Sequence, residues 1–434
     1  MIEPVDLFAI VLALAVVIGS VNHLWVKLPP AIGMLVGSLV VSLLVVMSDH
    51  VFHLHVMRWF RGTLRAADLP HFFLDGVLAL LLYAGSLHVN VAELRRRSWT
   101  ILLLATASVI ISTLIFGGGM WLLFDTIGSA VPLAWCFVLG AILAPTDAVV
   151  VENLLRQVSL PAGLRAAIVG ESLFNDGAGV VLFLLALGAV QGDAVSLGHG
   201  VVLIALLREI AGGALLGFAA GWLASLLIRT VRDDEGLQLL ISLTLVLGCY
   251  RLATLFGLSG PIAVVTAGLC MASPSPRFGM ASDSRTVVIR FWSLLDQLLN
   301  TMLFLLIGLQ VLGLVVAPAQ FLPILFAVPL AVLSRLISVA VPVTLSREKW
   351  RDKMRATAVL SWAGLRGGIS IALALILPDG AYRTELLVVT YAVVVFTIVV
   401  QGLTISRFLR TIYPAEKPHL DNGEANGPFD RTLA

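Results

Sequence analysis

Charge is what this sequence has least of. Of its 434 residues, 12% are Asp, Glu, Lys or Arg, while 59% are hydrophobic. A typical soluble domain is about 25% charged and about 45–50% apolar. So small a charged surface excludes a soluble fold, a disordered chain, a coiled coil and a nucleic-acid-binding domain. The net charge of +2 supplies no field for a polyanionic or polycationic partner. Cysteine is scarce too. Cys136, Cys249 and Cys270 sit in separate apolar runs, in neither a metal spacing nor a disulfide framework, and are expected as buried thiols. Apolar–polar alternation is missing, which disfavours a β-barrel. The opening residues, Met1-Ile2-Glu3-Pro4-Val5-Asp6, lack a basic stretch, so the first apolar run is expected to be retained rather than cleaved as a signal.

What is present is a series of long apolar runs, with a mean hydropathy of +1.01. A spanning helix needs roughly 20 such residues. The runs predict an all-α polytopic membrane protein with thirteen spans: 5–27, 29–48, 70–89, 99–124, 130–153, 164–190, 200–229, 236–256, 258–273, 289–314, 319–345, 354–378 and 385–409. The ninth is short and opens Ser259-Gly260-Pro261, as half of a broken helix would. Asp49–Leu69, with His50, His53, His55, Arg58, Trp59, Arg61 and Arg65, is expected to lie in the lipid interface. Residues 414–434 form a polar tail, expected to be disordered. With that tail cytoplasmic and the N-terminus outside, the cytoplasmic loops carry 20 of the 28 Lys and Arg residues and the outer loops five. That asymmetry fits a multi-pass protein of a cell (inner) membrane, in contact with membrane lipids.

Polar residues deep in a span are costly and point to function. Three spans carry them. The fifth contains Ala144-Pro145-Thr146-Asp147, where Pro145 breaks the helix and frees backbone carbonyls beside an acid. The sixth contains Gly170-Glu171-Ser172-Leu173-Phe174-Asn175-Asp176, with Ser172 and Asp176 on one face and Glu171 and Asn175 on the next. The twelfth contains Gly364-Leu365-Arg366-Gly367-Gly368, a deep Arg among glycines that weaken the helix. Glu171 is a candidate partner for Arg366. With the seventh span as a linker, spans 1–6 and 8–13 form two halves, and the fifth and twelfth become counterparts. Paired interruptions of this kind suggest two inverted repeats with crossed broken helices around a midplane site. There Asp147 and Arg366 are placed to compensate the helix ends.

Oxygen donors from Asp, Ser, Thr and freed carbonyls suit a small hard cation. Neither a transition-metal site nor a nucleophile elbow is present, so no enzyme and no resident cofactor is expected. A carboxylate held away from bulk water can keep a proton until a cation displaces it. Competition of H⁺ and a cation for one acid is the simplest exchange device.

These three runs together resemble the signature of monovalent cation/proton antiporters, in the NhaP-type sodium/proton exchanger branch related to animal sodium/hydrogen exchangers. Phe291-Trp292, Asn300 and Arg335-Leu336-Ile337-Ser338-Val339 extend the resemblance over nearly the whole membrane region. It implies a homodimer within which 1–413 forms one transporter unit. Segments 5–98 and 200–314 would lie mainly on the dimerisation side, and 99–190 and 319–410 mainly in a moving ion-binding core. It implies Asp176 as the ion- and proton-binding carboxylate. Thr146, Ser172 and Asp147 complete the cation site, Asp147 directly or through water, and Glu171 and Arg366 form a structural ion pair. Asn175, where electrogenic relatives carry a second Asp, implies electroneutral exchange of Na⁺ for H⁺.

One departure stands out. Many relatives carry a third-span Glu that reaches the ion; here Tyr83 occupies that place, followed by His88. Both are possible accessory residues, and the loss leaves K⁺ or Li⁺ as competing cargo. His88 is expected at the lipid interface more than as a pH sensor. Asp75, Arg208, Glu209, Arg251, Asp296, Asn300 and Arg335 are expected to bond between helices, with lining of the ion path the alternative for Asp296 and Asn300, which stand i,i+4. A cation channel would want rings of like groups from repeated subunits. A non-transporting scaffold would have no use for Asp176.

Overall fold

The computed structural model describes residues 4–52, 76–129, 131–147, 151, 160–192, 199–231, 233–273, 282–311, 317–346 and 350–413. Its described elements are helical throughout. They are α1 (Pro4–Val21, continued by a π-turn, Asn22–Val26), α2 (Pro30–Phe52), α3 (Leu78–His88), α4 (Ser98–Thr126), α5 (Leu133–Ile142), α6 (Ala162–Gln191), α7 (His199–Thr230) and α8 (Glu235–Leu255). There follow α9 (Gly260–Ala272), α10 (Ser282–Gln310), α11 (Phe321–Leu345), α12 (Trp350–Trp362), α13 (Gly368–Leu375), α14 (Arg383–Phe396) and α15 (Gly402–Ile412). A surface turn of helix, Val91–Arg96, joins α3 to α4.

Among the described residues, nine helical stretches are long and apolar enough to cross a membrane. The apolar helices α3, α5 and α9 are shorter. With the twelfth span split into α12 and α13, a helix stands at each of the thirteen expected positions. Most of the interfacial segment expected at Asp49–Leu69, Asp75, and the tail from residue 414 fall outside the described residues.

Local sequence sets the helix ends. The Asp234 carboxylate accepts from Leu237 N at 2.9 Å and starts α8. Ser259 caps α9, and Pro261 sits in its first turn, where a missing N–H does no harm. The ninth span is thus a 13-residue helix with its own start signal. Gly192, at φ 92°, closes α6 in the left-handed region that favours glycine. Pro329 and Pro342 lie inside α11 without ending it. All three cysteines are buried, and none forms a disulfide.

The helices pack as two groups. α4, α5, α6 and α11 pack on one another, with α12–α15 alongside. α9 packs on α7, α8 and α3, while α10 packs on α2 and α3. The groups meet where α6 and α13 face α3, α9 and α10. That seam is bordered by Asp147, Ser172 and Asp176 of the fifth and sixth spans, while Glu171 and Arg366 lie within the first group.

Candidate functional site

The site begins with two failures of helix. Pro145 lacks an N–H, clashes with the carbonyl four residues back and drives Ala144 out of the helical region. α5 accordingly stops at Ile142, and 145–147 run without helical bonds. In the twelfth span, Gly364-Leu365-Arg366-Gly367 is non-helical between α12 and α13. The two unwound stretches cross, and Asp147 N donates to Leu365 O at 2.7 Å. Glycine is required at the crossing: a Cβ on Gly367 would lie 2.1 Å from Asp147 Oδ2. On the far side, a Cβ on Gly179 of α6 would lie 2.2 Å from Pro145 Cγ.

Breaking α5 frees carbonyls that must find donors. Arg366 supplies them. Its Nη1 donates to Pro145 O at 3.0 Å and to Ala144 O, while its backbone N donates to Thr397 Oγ1 at 3.1 Å. The guanidinium thus sits at the carbonyl end of α5, where a cation offsets the helix dipole. Thr146 is clamped by α6. Its N donates to Asn175 Oδ1 at 3.3 Å, its hydroxyl accepts from Asn175 Nδ2 at 2.7 Å, and its carbonyl accepts from the Ser172 hydroxyl.

Glu171 does not pair with Arg366 as the sequence suggested. It pairs with Arg335 of α11, in a two-pronged bridge of 2.5 and 2.8 Å. Arg335 Nη2 also donates to Leu360 O of α12 at 3.3 Å, and Asn175 Nδ2 reaches Glu171 Oε1 at 3.3 Å. The reason for the exchange of partners lies in the break. The freed carbonyls of α5 occupy the Arg366 guanidinium, leaving Arg335 to neutralise the buried acid. Arg335 is legible as a charge in an apolar span and as part of the run 335–339; nothing in its neighbours names its partner.

Beside the crossing lies a cavity of about 60 Å³, room for a cation with a few waters. Asp147, Ser172, Asp176 and Asn300 are its polar lining; Leu78, Leu81, Leu82 and Gly85 form its α3 wall. Asp176 is 7% exposed, and its Oδ1 has no hydrogen-bond partner among the described residues. Of the expected cation set, Asp176, Asp147 and Ser172 therefore meet at one cavity. Thr146 and Asn175 stand behind it, their polar atoms bonded to each other.

The accessory residues lie elsewhere. Tyr83 is fully buried on another face of α3, its ring edge-on to Trp292 at 4.6 Å. The cavity face of α3 is 78, 81, 82 and 85, an i, i+3, i+4, i+7 stripe that Tyr83 does not share. His88, the last residue of α3, is half-buried, with Nε2 3.2 Å from Ser293 Oγ of α10. Asn300 bonds within its own helix, to Asp296 O at 2.9 Å and Asp296 Oδ1 at 3.0 Å, and not between helices as expected. Arg208 and Arg251 are exposed on the helix surface.

Residues 10–411 match a family described as "Sodium/hydrogen exchanger, transmembrane". The chain is 37% identical over 424 residues to the Na(+)/H(+) antiporter NhaP of Pseudomonas aeruginosa, covering 95% of this chain and 98% of that protein. It is 30% identical over 410 residues to the Na(+)/H(+) antiporter NhaH of Halobacillus dabanensis, covering 93% and 96%. The fold is similar to that of the sodium proton antiporter MjNhaP1 from Methanocaldococcus jannaschii at pH 8. That likeness has a TM-score of 0.70 at 18% identity, over 94% of this chain and 97% of that one.

Proposed function

The chain belongs to the sodium/hydrogen exchanger family, and from that premise we propose that it is a secondary antiporter exchanging Na⁺ for H⁺ by alternating access. One observation carries the reading. A buried carboxylate, Asp176, borders the cavity of about 60 Å³ with an oxygen that has no partner among the described residues, beside the hydroxyl of Ser172 and the carboxylate of Asp147. Asp176 holds a proton in one half of the cycle and a monovalent cation in the other. Each displaces its rival from the same oxygens, so neither crosses without exchange.

The remaining residues hold this acid and its neighbours in place. Arg366 caps the freed carbonyls, Asn175 clamps Thr146, and Ser172 anchors the unwound segment to α6. Thr146 and Asp147 complete the cation's oxygen set when the ion enters, Asp147 directly or through water. The Glu171–Arg335 bridge ties α6 to α11 and α12, so that these helices travel as one body. Asn175 is neutral, so one titrating carboxylate serves the cycle and exchange is electroneutral.

In this reading the group α4–α6 and α11–α15 is the moving core. The group α1–α3 and α7–α10 is the scaffold, and it forms a homodimer in the cell membrane with the N-terminus outside and the C-terminus cytoplasmic. The fifth and twelfth spans are counterparts in two inverted repeats. K⁺ is the alternative cargo, because the α3 wall of the cavity carries no acid. The test is proteoliposome exchange with Na⁺, Li⁺ and K⁺. Asp176→Asn should abolish cation-dependent proton movement while the protein still elutes as a folded species. Normal rates in that variant would overturn the assignment.

A further inference from the structure

Three of the four polar groups around the cavity have a part in the exchange reading; the fourth, Asn300, has none. We propose that the Asn300 side-chain carbonyl is a ligand to the transported cation and sets which alkali ion is preferred, from the wall of the cavity where α3 offers no oxygen. The inference deepens the exchange reading and rests on it.

Three observations support it. Asn300 is 6% exposed and lines the cavity together with Asp147, Ser172 and Asp176. Its amide nitrogen is committed, donating to the backbone carbonyl of Asp296 at 2.9 Å and to the Asp296 carboxylate at 3.0 Å. Those two acceptors take only an N–H, so they fix which way the amide is turned. Its oxygen, Oδ1, is buried and has no hydrogen-bond partner among the described residues. A buried carbonyl oxygen without a donor is uncommon and asks for an unseen partner.

The cavity shows what that partner is. Asp147 and Ser172 stand with Asp176 on the side of the crossed segments and α6. Facing them, α3 contributes Leu78, Leu81, Leu82 and Gly85, and α10 contributes Leu303 and Asn300. Hard cations are held by oxygens converging from several directions. On that facing wall, Asn300 is the polar side chain available. It is a neutral oxygen dipole, so it ligates without adding charge and leaves one-for-one exchange intact. Its weaker field, compared with a carboxylate's, makes the wall a place where alkali ions of different size are told apart.

The test uses the full chain in proteoliposomes, with proton movement followed against Na⁺, Li⁺ and K⁺. Asn300→Leu nearly keeps the volume and removes the oxygen; Asn300→Gln keeps a neutral amide oxygen and an N–H for Asp296. Asn300→Leu should raise the half-saturating Na⁺ concentration about tenfold, the usual size of one lost ligand. The maximal rate should stay within about twofold, and the Na⁺:Li⁺:K⁺ ratio should change. Asn300→Gln should hold cation half-saturation nearer that of the parent than Asn300→Leu does. A merely structural Asn300 would instead lower the rate for all ions alike, and unchanged half-saturation and ion ratios in the Leu variant would overturn the proposal. If Asn300→Leu does not fold, Na⁺-dependent thermal stabilisation of Asn300→Ala in detergent decides the matter: loss supports the ligand, retention refutes it. Failure of the exchange reading looks different, with a parent chain showing no cation-dependent proton movement that Asp176→Asn removes.

Discussion

Arg335→Met separates two ways of wiring the buried charges. Methionine keeps most of the side-chain length, so the loss falls on the guanidinium rather than on packing. Glu171 is 1% exposed and, among the described residues, would keep a single donor, the Asn175 amide at 3.3 Å. Removing one partner of a buried pair costs about 3–5 kcal/mol, because the other charge stays desolvated. At about 2 °C per kcal/mol for a large chain, the melting temperature in detergent should fall by about 6–10 °C. Glu171→Gln/Arg335→Met removes both charges and should recover most of that loss, a coupling on the order of 2 kcal/mol. The control is Arg366→Met. It strips donors from Ala144 O and Pro145 O and should also destabilise, but Glu171→Gln added to it should rescue nothing. Melts of the four variants followed by fluorescence-detected size exclusion would decide. Rescue of Arg366→Met by Glu171→Gln, with none for Arg335→Met, would refute the pairing.

Two further outcomes follow from the same geometry. With Asn175 in the place before Asp176, exchange should run at one rate under imposed potentials of either sign, and a rate that tracks potential would contradict one-for-one stoichiometry. Tyr83→Phe removes a buried hydroxyl that has no partner among the described residues, so the melting temperature should hold or rise. The ion ratios should stay as they are, and a shift in them would return Tyr83 to the cation's surroundings.

The crossing itself is legible in the sequence. Pro145 and the glycines around Arg366 are breaks that hydrocarbon tolerates only around a cavity or inside protein, and the interruptions fall at matching places in the two halves. Partners are harder to read. Two arginines and three acids share this region, and one-dimensional spacing ranks no pairing among them. Depth alone points Arg366 at Glu171, and it leaves uncounted the competing demand of the carbonyls freed by Pro145. The mismatch at Tyr83 is one of phase. Matching a position by its neighbours in sequence does not say which stripe of α3 faces the cavity, and one residue along a helix is about 100° of rotation. Asn300 is visible as a polar residue in an apolar span, but its role depends on Asp296 holding the amide nitrogen, which only packing reveals.

Under the proposed exchange reading, the wiring of the arginines bears directly on the role of Asp176. Two guanidinium groups are buried near three buried or half-buried acids. Had either reached Asp176, a permanent cation would have filled the site and no exchange could occur there. Arg335 is spent on both oxygens of Glu171 and on Leu360 O. Arg366 is spent on the carbonyls that Pro145 set free. The helix break therefore does more than free carbonyls. It draws off Arg366, and Asp176 Oδ1 has no hydrogen-bond partner among the described residues. Restoring helix through the fifth span would satisfy the carbonyls of α5, release Arg366 and give the cavity a fixed counter-charge. By this reasoning Pro145 keeps the carboxylate available only to charges that can leave.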